Sequence, residues 1–212
     1  MKINGDIDGF ILAGGASSRM GVDKADLQLA GETLLARAVK TMSAFPERVN
    51  VVGRRSATIA SEIPGVRYVE DLSVDAKKRA PIIGLHTALS TAGTEWISVL
   101  AVDLPFVMAE LLARLASFRT EDIDAVVPVQ ADGRLQPLCA IYRRDGCLEA
   151  ARAAIATGEF SLHKLLGGVN VRRVEQSELT DLPCAENFFF NVNTPTDLEA
   201  AAKLAETNRV VL

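Results

Sequence analysis

The sequence predicts an α/β protein with three layers, α/β/α, built around a mostly parallel sheet. Short runs that are apolar throughout alternate with segments of helical periodicity along the 212 residues. Strands of this kind are covered on both faces, and the intervening helices supply the crossovers that parallel pairing requires. Because no internal repeat, low-complexity stretch or obvious linker interrupts the pattern, we expect a single domain over residues 1–212.

The predicted elements follow in chain order. The strand candidates are residues 10–12, 49–52, 66–69, 96–102, 124–129, 138–142 and 169–174. The helix candidates are residues 33–45, 82–92, 105–116, 147–157, 162–166 and 195–206. Asp132 and Gly133 mark a hairpin or turn before the sixth strand, and residues 188–192 form a final apolar run. The last helix is the most clearly delimited, because Thr194 can cap its start and Pro195 suits its first position.

Composition and charge argue against several classes of function. The net charge of −4 is unlike the basic excess of general nucleic-acid binders, although a few cations and backbone N–H groups suffice for a small anion. No apolar run approaches the ~20 residues that span a membrane. The three cysteines, Cys139, Cys147 and Cys184, form no CxxC pair, and only two histidines accompany them, so no closed zinc site is expected. The odd cysteine number and the absence of an apolar leader predict a cytoplasmic protein.

Three residues whose chemistry suits a binding site lie just beyond predicted strands. Gly14, Asp71 and Asp103 follow the first, third and fourth strand candidates. Right-handed crossovers place the carboxyl ends of parallel strands at one edge of the sheet, where ligands bind. The fold alone therefore predicts that one loop and two carboxylates meet at this edge. Taken singly, each aspartate has an ordinary alternative as a helix cap or loop carboxylate.

The loop after the first strand reads LAGGASSRMGVDK at residues 12–24. Gly14 and Gly15 let the backbone turn sharply, and successive free N–H groups in such a loop form a concavity that binds anions. Arg19 and Lys24 add two positive charges. The loop has neither the Walker A nor the GxGxxG spacing. From the residues alone, a phosphate-binding loop and a plain strand-to-helix turn both remain open.

The full string LAGG-x-S-x-RMG-x-DK resembles the opening loop of the molybdenum cofactor guanylyltransferases, within the MobA-like NTP transferase family. The sequence AVDLP at 101–105 resembles their Asp-x-Pro motif, and FNVNTPTDL at 190–198 resembles their C-terminal N-x-N-T-P-x-D-L pattern. The related cytidylyltransferases more often carry LAAG, so Gly15 favours guanine. The resemblance implies a Rossmann-like fold of the nucleotidyltransferase type, with an acceptor-side subregion around residues 130–190.

The resemblance also implies roles for individual residues. The residues implied to bind the nucleotide are Leu12, Ala13, Gly14, Gly15, Lys24, Asp71 and Asp103. Arg19, Lys24 and Asp103 are implied to be catalytic, since fixed cations stabilise charge that builds up on the transferred phosphoryl group and the pyrophosphate. Asp103 is implied to hold Mg²⁺, for which Mn²⁺ is a chemical substitute.

The second half of the chain is implied to line the acceptor. Gln136 lies in a Gln-Pro-Leu segment like that of the family, and Asn191 and Asn193 lie in the C-terminal motif. One of these asparagines is expected to position the metal or the acceptor, with Asn191 the first choice. The family pattern is broken at two points: Ala80 replaces a glycine before Pro81, and no asparagine follows the second strand.

The implied reaction transfers GMP from GTP to the terminal phosphate of molybdopterin and releases pyrophosphate. The implied partners are GTP and the molybdenum cofactor, with molybdoenzymes or cofactor-carrier proteins downstream. Two alternatives stay open. One is a related transferase that uses CTP or UTP with another cofactor or sugar phosphate. The other is a non-catalytic nucleotide-binding module, which the two departures from the family pattern keep open.

Overall fold

The structure is a computed structural model that describes residues 7–13, 23–45, 48–53, 63–71 and 80–209. The predictions made for Gly14, Gly15 and Arg19 lie outside the described residues. None of the helices within the described ranges combines the length and apolarity needed for a membrane crossing.

Within the described residues, seven strands form one sheet and two short strands form a separate hairpin. In chain order the strands are β1 (Ile7–Leu12), β2 (Gln28–Leu29), β3 (Glu32–Thr33), β4 (Arg48–Val52), β5 (Val66–Val69), β6 (Trp96–Ala101), β7 (Ala125–Pro128), β8 (Cys139–Arg143) and β9 (Val171–Val174). The sheet has the order β5-β4-β1-β6-β8-β7-β9. Only β8 runs against the others, since it pairs antiparallel with β6 and β7 while the remaining pairs are parallel.

Helices cover both faces of the sheet. They are α1 (Leu34–Ser43), α2 (Pro81–Thr91), α3 (Ala109–Ser117), α4 (Arg144–Ala156), α5 (Leu162–Leu166) and α6 (Pro195–Arg209). Successive residues of β1 alternate between two hydrophobic cores: Ile11 faces the core that contains α1, α3 and α6, and Phe10 faces the core that contains α2, α4 and α5. The predicted α/β class with a mostly parallel sheet is therefore confirmed.

The topology places the carboxyl ends of β5, β4, β1 and β6 side by side. β1 lies between β4 and β6, so the chain crosses to opposite sides of β1 and leaves a crevice at the carboxyl ends of these strands. Because β8 is antiparallel, its first residue, Cys139, lies opposite Leu100 near the end of β6. The segment that precedes β8 therefore reaches the same edge of the sheet.

The predicted start of the third helix is wrong. Residues 105–116 were expected to be helical from Pro105, but α3 begins at Ala109. Turn hydrogen bonds precede it, including Val107 N–H to Leu104 O at 3.4 Å. Phe106 and Val107 are buried in this turn, and Phe106 packs edge-to-face on Phe190. Their apolar character therefore reflects burial in a loop, which periodicity cannot distinguish from the first turn of a helix.

The hairpin of β2 and β3 was not predicted. Its turn residues, Ala30 and Gly31, have φ values of 52° and 88°. Two consecutive positive φ values are typical of a two-residue hairpin turn. Two-residue strands carry no detectable alternation, so the Ala-Gly pair was the only available signal in the sequence.

Candidate active site at the carboxyl edge of the sheet

Backbone hydrogen bonds tie together the ends of the central strands. Ala13 N–H donates to Val52 O at 2.9 Å, and Val102 N–H donates to Leu12 O at 3.2 Å. The side chains of Leu12 and Ala13 are both buried. A nucleotide at this edge would therefore meet mainly backbone atoms of these two residues, which are hydrogen-bonded to the segments beside them.

Asp71 and Asp103 lie at the same edge but in different parts of it. Gly53 N–H donates to Val69 O at 3.1 Å, which holds the end of β4 beside β5, and Asp71 follows two residues later. Three strand spacings separate β5 from β6, which amounts to about 14 Å. The two aspartates therefore follow strands that are not neighbours in the sheet.

Lys24 joins Asp103 to Asn193. Its Nζ donates to Asp103 Oδ2 at 2.8 Å and to Asn193 Oδ1 at 2.5 Å. The side chains of Lys24 and Asp103 are each 15% exposed, so this ion pair is partly shielded from water. Lys24 begins a 3-10 helix, Lys24–Asp26, whose start is capped by Asp23. Asp103 thus pairs with a distant cation, and the alternative that it caps the following helix is excluded.

Two buried oxygen atoms at this edge lack a hydrogen-bond donor among the described residues. Asp103 Oδ1 and Asn191 Oδ1 are buried, and neither accepts a hydrogen bond from any described residue. Val192 N–H donates to Asp103 O at 2.9 Å, which holds the asparagine segment against the aspartate. Buried polar atoms are almost always satisfied, and a carboxylate plus an amide oxygen is a donor set suited to Mg²⁺. These residues therefore fit the predicted cation site.

Asp197 holds the loop that carries Asn193. Its Oδ2 accepts the N–H groups of Asn193 and Thr194 at 2.9 and 2.8 Å, and its own N–H donates to Thr194 Oγ1 at 3.2 Å. Thr194 therefore caps α6 as predicted. The hydrogen bond from the Asn193 N–H is the main cause that lowers the pKa of Asp197. Hydrogen bonds with Thr194 and the positive charge of Lys24 lower this pKa further, whereas burial raises it. Sequence reasoning gave Asp197 no role, although the T-x-x-D spacing of a capping pair signals one.

Gln136 lies at the edge without joining this cluster. Its N–H donates to Pro128 O at 2.9 Å, and its carbonyl accepts from Cys139 N–H at 3.2 Å. Leu138 O accepts from Ala101 N–H at 2.7 Å, which fixes the segment beside the end of β6. Among the described residues, the hydrogen bonds of Gln136 are made by its backbone. Its expected role toward the acceptor remains a prediction.

Comparison with known proteins gives a consistent picture. Residues 9–175 match the model of the MobA-like NTP transferase domain. A protein of Pelotomaculum thermopropionicum named probable molybdenum cofactor guanylyltransferase is 35% identical over 202 residues, which cover 95% of this chain and 94% of that protein. Another of the same name from Opitutus terrae is 35% identical over 193 residues, covering 89% of this chain and 91% of that protein.

Solved structures agree with the sequence matches. The crystal structure of molybdopterin-guanine dinucleotide biosynthesis protein A from Archaeoglobus fulgidus superimposes with a TM-score of 0.80 at 27% identity, covering 94% of this chain and 99% of that one. The 2-C-methyl-D-erythritol 4-phosphate cytidylyltransferase from Thermus thermophilus has a TM-score of 0.69 at 23% identity, covering 95% and 99% of the two chains. The Thermus thermophilus protein, at this identity, shows that the two chains share a fold.

Proposed function

The chain belongs to the MobA-like NTP transferase family, and we propose that it transfers GMP from GTP to the terminal phosphate of molybdopterin. The product is the guanine dinucleotide form of the cofactor, and pyrophosphate is released. Relatives named molybdenum cofactor guanylyltransferase, matched over nearly their whole length, support this reaction for the chain.

One observation carries the proposal. At the carboxyl edge of the sheet, the Lys24 ammonium lies between Asp103 and Asn193, and Asp103 Oδ1 and Asn191 Oδ1 are buried without a hydrogen-bond donor among the described residues. A cation beside oxygen atoms that lack hydrogen-bond donors is an arrangement suited to a triphosphate with its divalent ion. In a plain structural ion pair, the buried oxygens usually accept hydrogen bonds from groups nearby.

The mechanism needs no covalent enzyme intermediate. A terminal phosphate oxygen of molybdopterin attacks the α-phosphorus of GTP, and the bond from that phosphorus to the oxygen of the β-phosphate breaks as pyrophosphate leaves with the electron pair. Lys24 neutralises charge on the phosphates, and Arg19 is proposed to do the same from the loop. The contribution of the protein is then positioning and charge stabilisation.

Asp103 is the proposed ligand for Mg²⁺, with the amide oxygen of Asn191 beside it. When bound, the ion supplies Lewis-acid stabilisation of the phosphate oxygens. Asp71, at the β5 end, is proposed to contact the part of the nucleotide far from the reacting phosphate. Gln136 and Asn193 are proposed to face the acceptor, within an acceptor-side subregion at residues 130–190 of a single domain.

The setting of the reaction follows from the same proposal. All three cysteines are free thiols, which suits the reducing cytoplasm in which we propose the protein works. Molybdoenzymes or proteins that carry the cofactor are the proposed recipients of the product.

The decisive experiment measures pyrophosphate release with Mg²⁺, molybdopterin and each of the four nucleoside triphosphates. We expect turnover with GTP and little with the others. A preference for CTP or UTP would replace the guanine assignment with a related transferase. Tight GTP binding without pyrophosphate release would instead indicate a non-catalytic nucleotide-binding module.

Variants of Asp103 test the metal assignment. Asp103→Ala and the closer isostere Asp103→Asn should both abolish turnover, because each removes the charged ligand. Asp145→Asn is the matched control, since Asp145 is an exposed aspartate at the start of α4 whose partner is the adjacent Arg144. Near-normal turnover in either Asp103 variant would refute the assignment.

A further inference from the structure

The loop between Val192 and α6 is held by a single carboxylate. Asp197 Oδ2 takes the N–H groups of Asn193 and Thr194 at the same time, at 2.9 and 2.8 Å. Thr194 Oγ1 accepts the N–H of Asp197 in return. Two backbone positions before the helix are therefore fixed by one side chain in its first turn.

Asn193 depends on this backbone anchor for its orientation. The residue is exposed, so packing of neighbouring side chains does not hold it. Its amide oxygen nevertheless lies 2.5 Å from Lys24 Nζ, across 169 positions of sequence. Only a fixed backbone can keep an exposed side chain aimed at so specific a partner, because an unrestrained side chain samples several rotamers.

The contact reaches the reacting groups through Lys24. The same ammonium donates to Asp103 Oδ2 at 2.8 Å, so its place is set by Asp103 on one side and Asn193 on the other. Loss of Asp197 would therefore remove the anchor of Asn193 and, with it, one of the two contacts that set the place of the ammonium.

We propose that Asp197 is a positioning residue that acts through Asn193 to set the place of the Lys24 ammonium. The inference rests on the proposed function, because it takes Lys24 to be the group that meets the phosphates. Asp197 itself touches neither nucleotide nor acceptor in this account. Asp197 orients Asn193, and Asn193 in turn sets the place of Lys24, so the effect of Asp197 on turnover passes through these two residues.

An ordinary helix cap is the competing explanation, and a double-mutant cycle separates the two. If Asp197 acts through Asn193, Asp197→Ala should lower kcat about tenfold in the wild-type protein but less than about twofold in the Asn193→Ala background. The KM for GTP should change less than kcat. An equal loss in both backgrounds, or no loss in the wild type, would overturn the proposal.

Two further variants control for stability. Asp197→Asn retains an oxygen that can accept both N–H groups, so it should restore most of the kcat lost in Asp197→Ala. Thr94→Ala removes a comparable contact between a side-chain oxygen and a backbone N–H, that of Thr94 Oγ1 with the N–H of Asp8 at 3.0 Å, at the opposite edge of the sheet. It should lower the melting temperature and leave kcat unchanged.

A structural measurement keeps this test independent of the reaction. In a crystal structure of Asp197→Ala, the distance between Asn193 Oδ1 and Lys24 Nζ should exceed the hydrogen-bond limit of about 3.5 Å. An unchanged distance would refute the positioning role whatever the activity. A lengthened distance in a protein whose wild type does not transfer GMP would refute the proposed function and leave the positioning role standing.

Discussion

At the scale of single residues, the site depends on pairings between distant parts of the chain. Lys24, Asp103 and Asn193 were each predicted as site residues from their motifs, but their mutual contact was not. Partners that lie 79 and 169 positions apart are brought together only by the order of strands in the sheet. Local sequence patterns report helix caps and strand ends, and they carry no information on which side chains meet across them.

The Lys24–Asp103 pair leads to a prediction for both catalysis and stability. Lys24→Met keeps the length of the side chain and removes its charge. We expect kcat/KM to fall by about 10²–10³, as for other groups that stabilise transition-state charge. Because Asp103 is only 15% exposed, its unpaired carboxylate should also lower the free energy of unfolding by about 1–3 kcal/mol.

Lys40→Met is the matched control for this prediction. Lys40 is an exposed lysine on α1 that lies 3.9 Å from Glu32, and exposed pairs of this kind contribute little to stability. Steady-state kinetics and urea denaturation should show no change for Lys40→Met. A Lys24→Met protein with normal kcat/KM would mean that the ammonium has no part in phosphate binding.

At the scale of elements, periodicity predicted where helices lie better than where they begin. α5 has the predicted bounds, whereas α4 begins three residues before the predicted start and includes Gly146. A glycine and charged residues at the start of α4 hid its first turn, because neither contributes to an apolar period. The structure also shows that glycines inside helices differ in what surrounds them, which no sequence pattern could indicate.

Gly84 and Gly146 form a matched pair for testing this difference. The nearest atoms to a Cβ on Gly84 would be side-chain carbons of Leu12, the closest at 3.4 Å, which is ordinary van der Waals contact. Since alanine favours a helix interior by about 0.8–1 kcal/mol over glycine, Gly84→Ala should raise the free energy of unfolding by up to that amount. A Cβ on Gly146 would lie 2.7 Å from Asp124 Oδ1.

Asp124 cannot easily move to admit a methyl group at Gly146. Its Oδ2 accepts the N–H of Asn170 at 2.9 Å, so the carboxylate is tied to the chain just before β9. Gly146→Ala should therefore lower the free energy of unfolding despite its better helix propensity. Urea denaturation of the two variants gives the comparison, and stabilisation by both substitutions would show that the Asp124 contact yields without cost.

At the scale of the whole molecule, the antiparallel strand β8 lies between β6 and β7 in the interior of the sheet. The hairpin or turn predicted at Asp132 and Gly133 agrees with the antiparallel pairing of β7 and β8. The antiparallel pairing of β8 with β6 was not predicted, because strand direction depends on connections that a run of apolar residues does not reveal. Cys139 on β8 and Cys147 on α4 are completely buried and face different cores. The reactivity of these two thiols therefore measures how well each core is protected from solvent, whereas Cys184 is partly exposed.

Thiol reactivity should accordingly separate the surface from the two cores. Burial raises the pKa of the Cys139 thiol well above its usual range, and burial is also the main cause that raises the pKa of Cys147 to about 12. Neither thiol therefore ionises in the folded protein near neutral pH. A disulfide reagent such as Ellman's should modify one thiol quickly and the other two only on unfolding. Cys184→Ser should abolish the fast phase, and a fast phase of two or three thiols would contradict the buried placement.

The slow phase also tests whether the two cores open together and whether nucleotide binding stabilises the whole fold. If global unfolding exposes both thiols, an excess of a ligand bound only by the native state slows their modification by about the ratio of the free ligand concentration to its Kd. GTP with Mg²⁺ at 100 times its Kd should then slow both by about a hundredfold, equivalent to about 2.7 kcal/mol. A local opening of β8 or α4 that leaves the site intact would not respond to the ligand. Slowing of only one thiol would therefore show that the layers on the two faces of the sheet unfold separately.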